Sequence, residues 1–369
     1  MQNLKREGIA SVILVSPEDG DTLGKIWRKK KMAINRIKIK DFLVFKKEFA
    51  VDFCPGVNVI IGGNGTGKTT LLKIMYGMIN NKLKNCFCTQ ENTDDHSFTN
   101  AIIDLYLSSK SIIRFTQGRC NEIDGTYAHK SNGNTHDTDL DDVERITIGE
   151  FITTSSVYIP EKEMLSHSRG LLALKHERPS VPFDDTLTDI IAKAQLYPKK
   201  ETPDNQLCNK IRGIIGGEVT FFNDTFFLLR DNVSIPIAFS MEASGYRKFG
   251  LLWTLIRNGS LEDSSTLFWD EPENSLNPNL VSILVDILLE LARNGVQIFL
   301  ATHSEILASY FSVNRNKGDK VMFYSLYKNE SEIVADTNDR FDLLEPNNLT
   351  FEPVRLYERK LERGAGGNG

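Results

Sequence analysis

The sequence predicts an α/β fold in which helices cover a largely parallel sheet. Three short apolar runs, at residues 57–61, 266–269 and 296–301, are typical of buried strands. A helical pattern follows each run, and regular alternation of strands with helices is the signature of parallel strands joined by crossover helices. The chain has 369 residues, enough for one large domain or two ordinary ones.

The remaining elements follow from the periodicity of apolar residues, taken in chain order. Strands are predicted from residue 32 and at 49–53, 57–61, 101–107, 111–116, 155–159, 266–269, 296–301, 321–328 and 332–335, with three short runs between 219 and 238. Helices are predicted at 68–78, 187–196, 206–215, from 244, and at 278–293, 305–311 and 351–363. The polar and acidic segment 121–144 has no period, so it is predicted to be a loop.

Charge and cysteine content exclude several classes of protein. The balance of 44 basic and 49 acidic residues gives a net charge of −5, which argues against a dedicated polyanion binder but leaves room for a local basic face. No apolar run approaches the roughly 18 residues that a membrane span needs, and no signal peptide is evident. The five cysteines do not form a disulfide framework, so a cytoplasmic location is expected. They are Cys54, Cys86, Cys88, Cys120 and Cys208. Cys86 and Cys88 with His96 have the wrong spacing for a zinc site.

A glycine-rich loop with the sequence GGNGTGKTT fills residues 62–70. It matches the phosphate-binding P-loop pattern in full and lies between a predicted buried strand and a predicted helix, as that pattern requires. Glycine permits the dihedrals with which backbone N–H groups wrap phosphates, and the helix adds its positive N-terminus. The predicted nucleotide-binding residues are Gly62, Gly63, Asn64, Gly65, Thr66, Gly67, Lys68, Thr69 and Thr70. Lys68 is expected to reach the β- and γ-phosphates of ATP and thereby assist catalysis, and Thr69 to ligate Mg²⁺.

Two carboxylates end the predicted strand 266–269. Asp270 is expected to hold the Mg²⁺ shell. Glu271, one residue further on, is expected to polarise a water molecule for in-line attack on the γ-phosphorus. The alternative is that the Asp-Glu-Pro sequence only ends a strand.

Polar residues at two helix starts are further candidates for phosphate contacts. His303 follows the strand 296–301 and is predicted to contact the γ-phosphate as part of the catalytic set; the alternative is a structural histidine or a helix-capping turn. Ser244 and Gly245 begin a helix after an extended region. Ser244 is expected to cap that helix and, with Gly245, to offer donors to a phosphate.

Together these segments resemble the ABC-type ATPase superfamily over residues 32 to about 311. The loop 62–70 resembles Walker A, LFWDEPENSLNP at 267–278 resembles Walker B with the D-loop, and ATHS at 301–304 resembles the H-loop. MEASGYRKFG at 241–250 stands at the signature position and matches it in part. The sequences of these motifs are more similar to those of the soluble branch of the superfamily than to those of transporters. That branch contains the structural-maintenance-of-chromosomes (SMC) and RecF-like ATPases, the overcoming-lysogenisation-defect family, and AAA-family ATPase subunits of phage-defence systems such as Septu and retrons.

The resemblance implies a domain organisation. It implies an ATPase head at 32–345 with a mixed central sheet flanked by helices, an antiparallel β subdomain, and a helical lobe inserted at about 160–258. Residues 346–369 are expected to form a C-terminal helix and tail. Residues 1–31 are expected to be a loose extension or the result of an upstream start.

Departures from the family pattern are also evident. Pro160, Glu161, Lys162 and Glu163 stand where the Q-loop glutamine is expected. There is no long coiled coil, and no second acidic cluster resembles a metal-dependent nuclease.

The predicted function is that of a Mg-ATP-hydrolysing ATPase that closes into ATP-sandwich dimers or higher homo-oligomers. It is expected to control a nucleic-acid-related process, phage defence or DNA repair, with a separate effector or nuclease protein; nucleic acid itself is a candidate partner. One alternative is an ATP-gated scaffold or sensor that sequesters a toxic partner with little turnover. Another is a transporter subunit, which is less favoured because the full signature and the Q-loop glutamine are missing.

Overall fold

The computed structural model describes residues 33–87, 101–108, 111–116, 125–130, 155–178, 183–199 and 206–365, all in the unit Met32–Gly369. The strands are β1 (Ile34–Lys40), β2 (Phe49–Asp52), β3 (Val57–Gly62), β4 (Ile102–Leu107), β5 (Ser111–Thr116), β6 (Gly125–Lys130), β7 (Ser156–Ile159), β8 (Gly217–Phe222), β9 (Thr225–Arg230), β10 (Ile237–Ala238), β11 (Thr266–Asp270), β12 (Gln297–Ala301), β13 (Val321–Asn329) and β14 (Glu332–Asn338). The helices are α1 (Lys68–Ile79), α2 (Leu171–Glu177), α3 (Asp185–Ala194), α4 (Gln206–Ile215), α5 (Ser244–Arg257), α6 (Pro278–Arg293), α7 (Glu305–Asn314) and α8 (Asn348–Ala365).

A six-stranded mixed sheet lies at the centre, in the order β14-β13-β3-β12-β11-β7. Its neighbours pair in parallel except at β13 and β14, which pair antiparallel at one edge. The predicted α/β fold with a mixed central sheet is confirmed. Because β3, β11 and β12 are parallel, their carboxyl ends lie at one edge, where ligands bind in sheets of this kind.

Alternate side chains of the central strands lie on opposite faces of the sheet and pack into two hydrophobic cores. Leu267 and Trp269 of β11 belong to a core shared with α3 to α7, whereas Phe268 belongs to the core on the opposite face. The second core contains α1 and the inner residues of an antiparallel sheet with the order β2-β1-β4-β5-β6. Helix α1 is therefore buried between two sheets, which fixes the loop that precedes it.

The described residues between β7 and β11 contain the helices α2 to α5 and a small antiparallel sheet with the order β10-β9-β8. Ile191 of α3, Ile211 of α4 and Leu252 of α5 are fully buried in the first core. This packing joins α5, the helix that carries the signature-like sequence, to the face of the central sheet that bears Trp269.

The structure corrects the sequence prediction in three places. Strand β6 lies inside the segment 121–144 that was predicted to be a loop; six residue pairs with β5 form an antiparallel ladder, which backbone groups can make without an apolar period. The rest of that segment lies outside the described residues. Helix α2 was not predicted; none of its residues is fully buried, although Leu171 and Leu172 pack against the first core, and seven residues are too few to show a helical period. Helix α8 begins three residues before its predicted start, although Pro353 lies inside it.

Candidate nucleotide site

The phosphate loop requires glycine at both of its ends. Gly62 ends β3 with φ +152°, and a Cβ there would lie 2.3 Å from the carbonyl oxygen of Leu326. Gly67 precedes α1 with φ +91°, and a Cβ there would lie 2.8 Å from Val44 Cγ2. A side chain at either position would collide with the fold, so the backbone takes the path that only glycine allows.

Lys68 lies across this loop rather than in solvent. Its Nζ donates to the carbonyl oxygens of Gly62 at 2.9 Å and Gly63 at 3.2 Å. The side chain is buried, and burial lowers the pKa of its ammonium, while the charges of Glu271 and Asp270 oppose the shift. The ammonium is thus held at the loop that would surround a phosphate.

The N-terminus of α1 suits an anion. Gly67 occupies the cap position, and among the described residues no side chain accepts a hydrogen bond there, nor is any residue of the first turn acidic. The orphan N–H groups and the helix dipole are therefore available to a negative ligand. Thr66 stabilises the loop by donating from its hydroxyl to the carbonyl of Gly63 at 2.9 Å, and Asn64 is exposed.

Asp270 and Thr69 supply an oxygen set that fits Mg²⁺. Asp270 ends β11 and is buried, and burial raises the pKa of its carboxyl; hydrogen bonding with Thr69 and the charge of Lys68 oppose the shift. Mg²⁺ is typically held by one or two protein oxygens together with phosphate oxygens and water. A hydroxyl beside a carboxylate, next to a phosphate loop, meets that requirement.

Glu271 has a strained backbone and a carboxylate near His303. Its φ is +46°, which is uncommon for a residue other than glycine, and its N–H donates to the carbonyl of Ala301 at 2.8 Å. Oε1 of Glu271 lies 3.4 Å from Nε2 of His303. Burial raises the pKa of the Glu271 carboxyl, and the negative charge of Glu161 adds to the shift. A raised pKa makes this carboxylate a better proton acceptor.

His303 is oriented through its backbone by Glu273. Oε1 of Glu273 accepts from the Thr302 hydroxyl at 2.6 Å and from the His303 N–H at 3.2 Å. Burial, followed by the charge of Lys68, lowers the pKa of the imidazole, which favours its neutral form. Ser304, rather than His303, caps α7 by accepting from the Leu307 N–H.

Ser244 does not cap its helix as predicted. It is the first residue of α5, the cap position belongs to Ala243, and the Ser244 hydroxyl donates to the carbonyl of Ser275 at 2.7 Å. A Cβ on Gly245 would lie 3.2 Å from Leu276 Cδ1, so the small residue lets this helix approach the same loop. Both residues thus contact the loop that follows Glu271.

Three residues that were not among the predicted site residues also belong to this site. Lys248 donates to the carbonyls of Glu271 and Pro272, Glu273 aligns the H-loop, and Oε1 of Glu161 accepts from Asn274 Nδ2 at 2.7 Å. Lys248 lies one helical turn after Ser244, a spacing that predicts the same helix face. Glu161 stands in the segment that replaces the Q-loop glutamine.

Of the three residues Cys86, Cys88 and His96, only Cys86 is among the described residues. Cys86 is buried, and burial raises the pKa of its thiol to about 12, whereas Cys88 and His96 lie outside the described residues. Among the described residues, no group of three or more His, Cys, Asp or Glu side chains is placed to hold a metal ion.

Within the same residues, no helix has the length and apolar character to cross a membrane.

Two family models match successive parts of the chain. One, described as "AAA ATPase domain", matches residues 32–175, and one described as "AAA domain, putative AbiEii toxin, Type IV TA system" matches residues 182–309. A search of curated proteins finds no match.

Solved structures of SMC head domains are similar to the chain at low identity. The SMC head domain from Thermotoga maritima is 12% identical over 83% of this chain and 98% of that one, with a TM-score of 0.45. An Smc head domain bound to the C-terminal domain of ScpA, derived from Pyrococcus furiosus, is 10% identical over 83% and 96%, with a TM-score of 0.49.

Both family models describe AAA-type ATPases, and the sequence motifs that carry the resemblance meet at one edge of the central sheet. The chain is therefore similar to AAA-type P-loop ATPases over both matched segments, residues 32–175 and 182–309.

Proposed function

We propose that this protein binds Mg·ATP on the phosphate loop and hydrolyses it to ADP and phosphate with Glu271 as the base. The observation that carries the proposal is the convergence of Lys68, Asp270, Glu271 and His303 at the carboxyl edge of β3, β11 and β12. Three strands distant in sequence thus bring a cation, two neighbouring carboxylates and an imidazole to the end of one phosphate loop.

Each side chain has a distinct task in this proposal. Lys68 neutralises the β- and γ-phosphates, for which it exchanges its carbonyl partners on Gly62 and Gly63 for phosphate oxygens. Thr69 and Asp270 hold Mg²⁺, which when bound neutralises charge on the phosphate oxygens. Because phosphoryl transfer depends mainly on positioning and electrostatics, a prearranged site of this kind supplies most of the catalysis.

Glu271 accepts the proton of the attacking water. Its carboxylate has a raised pKa and lies 3.4 Å from His303 Nε2, so a neutral imidazole can hydrogen-bond either to it or to the γ-phosphate. Glu273 fixes the backbone from which His303 reaches the site.

We further propose that two copies close head to tail over ATP. Lys68 and His303 contact the nucleotide from one chain, while Ser244, Gly245 and the N-terminus of α5 come from the second copy. The arrangement is isologous and contains two ATP molecules. It requires the Ser244 hydroxyl, which has one hydrogen to donate, to leave the Ser275 carbonyl for a phosphate oxygen or to divide that hydrogen between the two acceptors.

The Glu271→Gln variant tests assembly directly. It should bind Mg·ATP without turnover, so light scattering is expected to show a dimer with Mg·ATP and a monomer without it. Ser244→Arg places a bulky side chain against the incoming phosphate, so it should stay monomeric while binding ATP normally. A Glu271→Gln protein with the same mass with and without nucleotide would refute the ATP-gated dimer.

The biological setting that we propose is phage defence or DNA repair, with a separate effector or nuclease protein. The description of the family model over residues 182–309 names a toxin and a toxin–antitoxin system, which supports a defence role. The contrasting candidate is a scaffold that sequesters a toxic partner and barely turns over ATP. Phosphate release by the wild-type protein separates the two, because a scaffold would release almost none.

A further inference from the structure

Lys248 is a buried lysine that the proposed chemistry leaves without a task. It lies in α5 and is 7% exposed. Both described hydrogen bonds of its Nζ go to main-chain carbonyls, that of Pro272 at 2.9 Å and that of Glu271 at 3.3 Å. Burial lowers the pKa of this ammonium to about 8, against the opposing charges of Glu273 and Glu161. Burial of a cation is unfavourable, and the lowered pKa indicates that the two hydrogen bonds and the acidic charges offset only part of that cost, so the placement points to a role other than stability.

The carbonyls that Lys248 contacts belong to the residue that presents the base and to its successor. Glu271 has a left-handed φ of +46°, and such a conformation persists only where the surrounding structure holds it. The N–H of Glu271 donates to Ala301, and its carbonyl accepts from the Asn274 N–H at 3.1 Å as well as from Lys248. Lys248 therefore restrains the peptide unit whose orientation sets the direction of the Glu271 carboxylate.

The start of α5 is joined to the same loop at further points. Ser244, one turn before Lys248, donates to the carbonyl of Ser275, and Arg247 Nη1 lies 3.0 Å from Glu163 Oε2. The turn that contains Glu163 also contacts the loop, through Glu161 and Asn274. A movement of the first turn of α5 is thus transmitted to the loop by several hydrogen bonds.

We propose that Lys248 is a positioning residue for hydrolysis: it holds the carbonyls of Glu271 and Pro272 and so couples the first turn of α5 to the direction of the Glu271 carboxylate. The inference rests on the proposed role of Glu271 as the base. If α5 contacts the nucleotide of a second copy, Lys248 links that contact to hydrolysis in its own chain. In such a dimer, neither ATP molecule is hydrolysed before the two chains have enclosed both.

Lys248→Met tests the link, because methionine keeps much of the apolar volume and removes the donors. Lys193→Met is the matched control: Lys193 is a partly buried lysine of the same lobe, its pKa is also lowered by burial, and its charged neighbours are Asp189 and Lys82. Lys248→Gln serves if the methionine variant does not fold, since the shorter amide cannot span both carbonyls. Lys248→Arg keeps the charge and the donors.

The first measurement is amide hydrogen exchange without nucleotide. The N–H groups of Glu271 and Asn274 are expected to exchange faster in Lys248→Met than in the wild type and in Lys193→Met. The second is turnover together with affinity for a fluorescent ATP analogue. Lys248→Met should keep the affinity and lose about tenfold or more in kcat, as expected when a reacting group is misaligned. Lys248→Arg should recover part of that loss.

Two results would overturn the proposal. One is unchanged exchange with kcat within about twofold of the wild type. The other is a Lys248→Met protein that loses ATP affinity together with kcat and is not rescued by arginine, which would mark a structural role. A wild-type protein that releases no phosphate would instead refute the proposed ATPase activity, while the exchange result would still report on the Lys248 contact.

Discussion

The phosphate loop and the loop that follows β11 lie at the same edge of the sheet but are held in different ways. Within the phosphate loop, Lys68 and Thr66 bond to carbonyls three to six residues away. The loop that begins at Glu271 instead accepts hydrogen bonds from two side chains of α5. Lys248 lies 23 and 24 residues before its two acceptors, and Ser244 lies 31 residues before its acceptor. A loop stabilised from within is damaged chiefly by changes inside it, whereas a loop stabilised from outside can be disturbed from another element.

Loss of Lys68 is expected to have the largest effect. In Lys68→Ala the β- and γ-phosphates lose a mobile cation that no backbone donor replaces, so affinity for Mg·ATP should fall at least about 100-fold. Titration with a fluorescent ATP analogue measures this. Lys82→Ala is the control, because Lys82 lies just beyond α1 and pairs with Asp189. Unchanged affinity in Lys68→Ala would remove the phosphate loop from the mechanism.

Glu271→Gln is expected to separate binding from chemistry. The amide keeps the shape of the side chain but cannot accept the proton, so turnover should fall about 10²- to 10⁴-fold. Affinity for ATP should be unchanged, since the phosphate loop is stabilised by its own contacts. Single-turnover phosphate release checks the rate. Wild-type turnover in this variant would mean that Glu271 is structural and that the base lies elsewhere.

Glu273 lies within the loop that follows β11, and its replacement is a smaller disturbance of the site than the loss of Glu271. Glu273→Ala removes the acceptor for the Thr302 hydroxyl and the His303 N–H, and turnover should fall about tenfold. Glu273→Gln keeps an acceptor oxygen and should retain most of the activity. Steady-state kinetics on the two variants measure the difference. Equal activity in both would show that His303 needs no alignment by this side chain.

The last prediction concerns stability rather than turnover. The pKa of Lys248 is lowered from 10.5 to about 8 in the folded protein. Between these pH values the unfolded chain binds more protons than the folded one, so the Lys248 contribution to stability rises with pH. The unfolding free energy of the wild type, relative to Lys248→Met, should therefore increase by up to about 3 kcal/mol between pH 7.5 and 10.5. Denaturant titrations measure it; parallel pH curves would contradict the burial of this charge.

Much of the fold and of the candidate site could be predicted from local sequence signals. Apolar periodicity predicted most elements to within a few residues, because burial on one or two faces of the central sheet imposes that pattern. The P-loop was recognisable because its chemistry depends on consecutive backbone groups. The β6 strand was missed, since a ladder of backbone hydrogen bonds leaves no periodic signature in the segment.

By itself the sequence determined the α/β class, the phosphate loop and the acidic end of β11, since each depends on residues that are neighbours in the chain. Only the tertiary structure decided how Glu271 is held. Lys248 reaches its carbonyl from α5, while Glu161 at the end of β7 bonds to Asn274 in the same loop, and no local pattern encodes that meeting. The tertiary structure also decided that Ser244 does not cap α5 but donates a hydrogen bond to the loop after Glu271. The position of that hydroxyl depends on how α5 packs against the loop, which the residue type alone does not specify.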